Sequence, residues 1–306
     1  MKAIICTKYG PPEVLKLQDV QKPVPKDKEI LIKIYATTVS SGDCRIRGFN
    51  VPKLFWLPGR LALGITKPRN SILGVHFSGV VEEIGKDVKS FKIGDKVFGY
   101  TGFKFGTYAE YVTMPESGSV TTNPSNMSHE EAVAIPFGGD TALFFLRKGN
   151  IDKNKKVLIY GSSGAVGTYA VQIAKYFEAE VTGICSTKNL ELVKSLGANK
   201  VIDYTKEDFT KLGEKYDIIL DAVGKISKSK CKNSLKADGK FLTVLGLDTA
   251  TSLVKDLIFL RELAEKGIIK PIVDKTYPLE NMVEAHRYVD TGHKVGNVVI
   301  TVIPEI

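Results

Sequence analysis

The sequence predicts an α/β protein in two parts: a β-rich first part, then a doubly wound parallel sheet. Three observations carry this. Up to about Thr122, short runs of β-branched residues alternate with glycine turns. From Ser128 onward, strand-like and helix-like segments take turns, the pattern of parallel βα units. Within that second part, residues 157–175 run from an apolar strand through a glycine-rich turn into an apolar-periodic helix.

Taken in order, residues 30–35 (ILIKIY) and 79–84 (GVVEEI) are strands of the first part. Gly94-Asp95, Gly99, Gly102 and Gly106 supply its turns, and the pattern suggests an antiparallel, barrel-like domain. Ser128 followed three residues later by Glu131 is a capping box that opens a helix. Residues 156–160, 180–185, 201–203, 217–221 and 240–245 are expected strands, and 167–177, 189–196 and 227–235 the helices between them. Residues 253–265 form a long helix that stops at Gly267. The tail from Ile268 returns to β character with VVITV at 298–302, so it is expected to rejoin the first part. The expected domains are therefore 1–122, completed by 268–306, and 123–267.

A chain of 306 residues, 43% hydrophobic and 25% charged with a mean hydropathy of −0.03, is long enough for a large core. Disorder and a small disulfide scaffold are excluded. No uncharged apolar run reaches the roughly 18 residues needed to span a bilayer; the most apolar stretch, 54–66, contains Arg60. The first residues, MKAIICTKYG, lack a secretory apolar region, so a cytoplasmic location and no membrane partner are expected. The net charge is +9, but the 43 basic residues are mostly Lys and are spread along the chain. A nucleic-acid partner is not expected, because such binders concentrate their cations and favour Arg. The densest group is Lys225, Lys228, Lys230 and Lys232, of which Lys225, Lys228 and Lys232 are spaced to share a solvated helix face, the alternative being a binding patch. Excess Lys also suits an anionic ligand such as a phosphorylated cofactor. Cys6, Cys44, Cys185 and Cys231 form no C-x-x-C pair, so neither a disulfide framework nor a zinc knuckle is indicated.

The strand–turn–helix at 157–175 carries the chemistry. Its turn reads Gly161-Ser162-Ser163-Gly164-Ala165-Val166-Gly167, a G-x-x-G-x-x-G spacing. Such a turn places backbone N–H groups of a helix N-terminus against a pyrophosphate. Gly164 permits close approach and Gly167 lets the helix pack on the strand, so the segment is a dinucleotide site. An acidic residue roughly 20 positions on would bind the ribose hydroxyls of NAD. Here that place holds Ser186-Thr187-Lys188-Asn189, with no Asp or Glu from Val181 to Leu190. Hydroxyls with one cation suit a 2′-phosphate and favour NADPH; the alternative is a turn that only caps a helix.

These residues resemble the zinc-free quinone oxidoreductase branch, the zeta-crystallin type, of the medium-chain dehydrogenase/reductase superfamily. Further segments carry the resemblance along the whole chain: VSSGDCRIRG at 39–48, GVHFSGVVEEIG at 74–85, GDKVFG at 94–99, GTYAEY at 106–111, AIPFGGDTA at 134–142, SLGANKVIDY at 195–204 and GHKVGNVVIT at 292–301. The resemblance implies a GroES-like β-rich catalytic domain split around a Rossmann-type cofactor domain, and a homodimer. It implies NADPH-dependent reduction of quinones or of the C=C bond of enals and enones. Thr141 falls at the family's threonine near the nicotinamide carboxamide. Ser186, Lys188 and Tyr204 match adenosine-phosphate contacts, although a lysine usual two positions after Lys188 is Leu190. Gly246, past the strand at 240–245, joins the expected cofactor contacts. Asp43 and Arg47 match an N-x-x-D-x-x-x-R catalytic signature whose asparagine is Ser40 here, and Asp43 is read as either a positioning or a catalytic residue.

Zinc-dependent members carry a His-Glu pair after the glycine matched by Gly74; here Val75 and His76 stand there, and residues 86–184 contain no cysteine. No metal is expected. Without one, the reaction rests on orientation of a hydride donor. Phe55, Trp56 and Phe137, with Phe49, are candidate walls of an apolar substrate pocket, core packing being the alternative. The runner-up functions are an enoyl-thioester reductase and a cofactor-binding structural or RNA-binding protein with little catalysis.

Overall fold

The computed structural model describes residues 1–50, 56–245, 248, 250 and 253–305. The chain forms two compact units, 1–134 with 273–306, and 135–272. These boundaries lie after the helix His129–Val133 and before the strand Val273–Pro278, whereas the sequence suggested 122/123 and 267/268.

The first unit is organised by one long strand, Glu29–Val39. Ile30, Leu31, Ile32 and Ile34 are all fully buried, so both faces of this strand lie in the interior, the environment that near-continuous apolar runs specify. It pairs antiparallel with His76–Ile84 along one edge. Along the other edge, Tyr111–Pro115 covers its first half and Asn297–Thr301 its second, with Val298 opposite Val39. Lys96–Tyr100 and Ser119–Thr122 extend the sheet beyond His76–Ile84, and Val273–Pro278 adds a parallel strand beside Asn297–Thr301. Register shifts at Leu31/Ile32 and Ile34/Ala36 mark bulges, which bend a long strand. The helix Met282–Asp290 seats Met282, Ala285 and Val289 in the same core as Phe77, Val81 and Tyr108. The expected capping box is present: the Ser128 side chain accepts from the Glu131 N–H, and the Glu131 carboxylate accepts from the Ser128 N–H at 3.0 Å.

The second unit holds five parallel strands in the spatial order Lys200–Asp203, Glu180–Cys185, Lys156–Tyr160, Tyr216–Asp221 and Leu235–Thr243. The first in sequence, Lys156–Tyr160, lies in the middle, so the chain winds outward in both directions from it. The point where the order reverses is where open α/β sheets bind ligands. Val157, Leu158, Ile159, Ile218, Ile219 and Leu220 are fully buried, as strands covered on both faces require.

One expected helix shrinks. Residues 227–235 form a single α-turn at Lys228–Cys231 and a 3-10 turn at Lys232–Ser234, and the strand begins at Leu235. Cys231 and Ser234 are the buried residues of these two turns, too narrow an apolar stripe to hold a longer helix in place. Lys225 lies outside them, so Lys225, Lys228 and Lys232 do not share a helix face.

Candidate active site

At the end of Lys156–Tyr160 the chain turns through Gly161 (φ +79°) and enters the helix Ala165–Tyr176 with Gly164 as its cap. The N–H groups of Gly161 and Ser162 and the Ser162 hydroxyl all donate to the Ile184 carbonyl, each at 3.0 Å. This ties the turn to the neighbouring strand. A Cβ on Gly167 would stand 2.1 Å from the Gly161 carbonyl oxygen, so only glycine lets the helix pack this closely on its own turn. No acidic side chain occupies the helix's first turn, and the first N–H groups of any α-helix lack intrahelical acceptors. Ala165, Val166 and Gly167 thus present a cradle for an anion.

The segment after Glu180–Cys185 folds back onto that turn. Asn189, buried, donates through Nδ2 to the Ser163 hydroxyl at 3.0 Å and lies 3.4 Å from the Ser186 hydroxyl. Ser163, Ser186 and Asn189 are therefore one polar cluster beside the helix N-terminus. Lys188 is exposed and pairs with no carboxylate among the described residues. Tyr204 follows the strand Lys200–Asp203, is 53% exposed, and holds its ring 6.3 Å from that of Tyr160. Sequence reading missed Asp203. Its buried carboxylate accepts from the Thr187 hydroxyl and from the Thr205 N–H and hydroxyl at 3.0 and 2.7 Å, and the hydroxyl bonds hold its pKa below the usual carboxylate value. Asp221, also missed, is fully buried at its strand end and accepts from the N–H groups of Gly224, Lys225 and Ile226 at 2.8 to 3.2 Å. It shapes the loop whose Val223 packs over Gly161.

Thr141 opens the helix Thr141–Lys148 directly after a π-turn at Pro136–Asp140. Such turns concentrate at functional sites. A Cβ on Gly138 would stand 2.3 Å from the Ala165 carbonyl oxygen, so the π-turn rests against the first residue of the glycine-capped helix. Half-buried Phe137 and Thr141 flank that contact. Gly246 lies outside the described residues. Backbone donors, hydroxyls, an amide and a free ammonium on one side of the sheet edge are the donor set that a phosphorylated dinucleotide needs.

In the other unit, Ser40, Asp43 and Arg47 come together on the helix Ser41–Gly48, and all three are buried. Ser40 caps the helix; its N–H and hydroxyl donate to Asp43 Oδ2 at 2.8 and 2.6 Å, and its hydroxyl accepts from the Asp43 N–H. Burial pushes the Asp43 carboxyl up to about 6. Arg47 donates to the Gly10 carbonyl at 3.1 Å, to His286 Nδ1 at 3.0 Å and to Asp290 at 2.8 Å. Because a guanidinium only donates, His286 Nδ1 accepts and the imidazole proton sits on Nε2. Burial and the Arg47 charge bring the His286 pKa down to about 3.

Among the described residues His76 belongs to no group of metal-ligating side chains. It is buried, with Nδ1 3.3 Å from the Thr38 hydroxyl, and burial lowers its pKa to about 3. Among the described residues no three His, Cys, Asp or Glu side chains group as metal ligands, so the residues present do not fit a catalytic zinc. Trp56 begins the helix Trp56–Leu63 and is half exposed, its ring edge-on to Phe49 at 6.2 Å, whereas Phe49 itself is buried. Phe55 lies outside the described residues.

Residues 26–124 match the alcohol dehydrogenase GroES-like domain family, and residues 165–278 the family described as zinc-binding dehydrogenase. The chain is 35% identical to 2-methylene-furan-3-one reductase of Solanum lycopersicum, over 99% of this chain and 80% of that protein. It is 32% identical, with the same coverage, to a chloroplastic NADPH-dependent alkenal/one oxidoreductase of Arabidopsis thaliana. A solved quinone oxidoreductase from Coxiella burnetii superposes with a TM-score of 0.83 at 27% identity, covering 99% of each chain. With a GroES-like domain, a Rossmann-type parallel sheet and these relatives, the chain belongs to the quinone oxidoreductase (zeta-crystallin type) branch of the medium-chain dehydrogenase/reductase superfamily.

Proposed function

We propose that this protein is an NADPH-dependent oxidoreductase that reduces quinones or the C=C bond of enals and enones without a metal. The observation that carries the cofactor reading is the cluster of Ser163, Ser186 and Asn189 beside the helix N-terminus, with unpaired Lys188 next in the chain. The names of the relatives support the reaction class. When bound, NADPH supplies the hydride. Ala165, Val166 and Gly167 would hold its pyrophosphate by backbone N–H groups, with Ser162 fixing the turn. Ser186, Thr187, Lys188, Asn189 and Tyr204 would surround the adenosine phosphate, and Thr141 would donate to the nicotinamide amide. Phe137 and Trp56 remain proposed substrate contacts. Ser40 and Asp43 are buried and bonded to each other, and buried Arg47 is bonded to Gly10, His286 and Asp290, which supports a positioning role over direct proton transfer.

The test is Ser186→Asp. A carboxylate there would repel a 2′-phosphate and lose a charge-assisted bond of ~1.5–3 kcal/mol, so NADPH should bind roughly ten- to a hundredfold more weakly. Dissociation constants for NADPH and NADH, titrated for both proteins, decide it; equal affinity of the native chain for the two cofactors sinks the assignment. Turnover of a quinone and a 2-alkenal panel then separates this activity from an enoyl-thioester reductase or a non-catalytic binding protein.

A homodimer and a cytoplasmic location complete the reading. Four unpaired, buried cysteines suit a reducing compartment. Among the described residues no helix is long and apolar enough to cross a membrane.

A further inference from the structure

The helix Trp56–Leu63 and the turn after it leave large apolar side chains in solvent. Trp56 is 50% exposed, Leu57 63%, Leu61 57% and Ile65 69%. Leu57 and Leu61 stand four residues apart, on one face of the helix. The flank that carries Trp56 and Arg60 is held down: the Arg60 guanidinium lies 4.5 Å from the Tyr9 ring, 4.0 Å from Phe49 and 5.1 Å from Trp56, and the Tyr9 hydroxyl donates to the Gly64 carbonyl at 3.0 Å. The helix is thus pinned with its apolar face outward. Asn70 donates to the Lys104 carbonyl, which brings a second exposed ring, Phe103 at 87%, into the neighbouring turn. Clustered exposure of this kind marks an interaction surface.

Charge identifies the occupant. From Cys44 to Val81 the sequence contains no Asp or Glu; of its cations Arg47 is buried against Asp290 and Arg60 packs on rings, which leaves Arg45, Lys53, Lys67 and Arg69 to set the charge. Lys67 and Arg69, just past the helix, are exposed and pair with no carboxylate among the described residues. A second copy of this chain in an isologous contact would bring these cations toward their own images, a repulsive arrangement. An apolar tip with a cationic border is instead complementary to an anionic bilayer surface, which accepts Trp and Leu at headgroup depth and attracts Lys and Arg. We propose that Leu57, Leu61 and Ile65, bordered by Lys67 and Arg69, dock the protein peripherally on anionic phospholipid membranes, with Trp56 on the flank beside them. This is a surface contact where the sequence had suggested no membrane partner. It does not depend on the reaction assigned above.

Trp56 is the only tryptophan in the sequence, so the native protein carries its own reporter. Vesicles of phosphatidylcholine with 30 mol% phosphatidylglycerol, as a stated probe, should blue-shift Trp56 emission, and brominated lipid should quench it. Co-sedimentation should fall severalfold when salt rises from about 0.05 to 0.5 M, as screening weakens the cationic border. Pure phosphatidylcholine vesicles should bind at least tenfold less protein. Leu57→Asp with Leu61→Asp should abolish binding while the melting temperature and NADPH affinity stay at native values. If that pair fails to fold, Lys67→Glu, which removes no packed side chain, must reduce vesicle binding severalfold. No emission shift with anionic vesicles, or equal binding to neutral ones, overturns the proposal. So does a lipid-free blue shift that grows with protein concentration alongside the mass, which would assign the face to a second copy.

Discussion

Asp43 shows how one buried carboxylate can serve a helix and still cost stability. Its Oδ2 satisfies the Ser40 N–H, which would otherwise be an orphan at the start of Ser41–Gly48. Burial raises its pKa from 3.8 to about 6. A carboxyl raised on folding stabilises the native state most below its unfolded pKa, and that contribution disappears as pH rises through the folded value. Between pH 4 and pH 7 Asp43 therefore removes roughly 2 kcal/mol at ~1.36 kcal/mol per unit, because its unfolded carboxyl is already largely ionised at pH 4. Asn keeps the acceptor without the ionisation. The stability of Asp43→Asn relative to the native protein should accordingly rise by roughly 2 kcal/mol from pH 4 to pH 7, measured by urea unfolding at several pH values. A flat difference would mean that Asp43 titrates normally. His76 and His286, lowered to about 3, act in the opposite sense: each stabilises above pH 6.5, and the contribution is lost as pH falls toward 3. Both are present in the two proteins, so they cancel from the comparison. A fall in kcat with unchanged stability would instead favour the catalytic reading of Asp43.

At the scale of elements, the glycine turn separates packing from ligand approach. Gly167→Ala must push a methyl into the Gly161 carbonyl at 2.1 Å, backbone that cannot yield cheaply. It should cost about 1–3 kcal/mol, as overpacking does, together with cofactor affinity. Gly164→Ala meets its nearest atom at 3.5 Å with φ −81°, so melting should hold while NADPH binding weakens at least tenfold. Loss of stability in both variants, or of affinity in neither, would refute this division. The same turn shows what a sequence makes legible. The strand 156–160, its turn and its helix are encoded within 21 consecutive residues, and the Ser128–Glu131 box within four, and both are read from local spacing. Ser163 and Asn189 meet across 26 residues, which spacing alone does not reveal. The partners of Arg47 lie further still, at His286 and Asp290, more than 230 residues away. The π-turn Pro136–Asp140 has no periodic signature, and residues 227–235 carry helix-like composition without the apolar stripe that would hold a full helix.

At the scale of the whole molecule, the chain order decides what can stand alone. Residues 135–272 are one uninterrupted segment containing all five strands of the parallel sheet and the glycine turn. Residues 1–134 do not complete their own sheet. Without Asn297–Thr301, the second half of Glu29–Val39 loses its partner along one edge at Ala36 through Val39, and Met282, Ala285 and Val289 leave the core around Phe77 and Tyr108. The buried Arg47 would lose both His286 and Asp290, leaving a guanidinium inside with only the Gly10 carbonyl; stranding one partner of a buried pair costs about 3–5 kcal/mol. A naked strand edge also invites pairing with other chains. The expectation is that a 135–272 fragment melts cooperatively by circular dichroism and still quenches or shifts NADPH fluorescence, whereas a 1–134 fragment aggregates. Appending residues 273–306 to 1–134 through a short Gly-Ser linker should restore a folded unit, because the missing strand and helix then return. If the 1–134 fragment folds unaided, or the linked version does not, the tail is not what completes the first sheet.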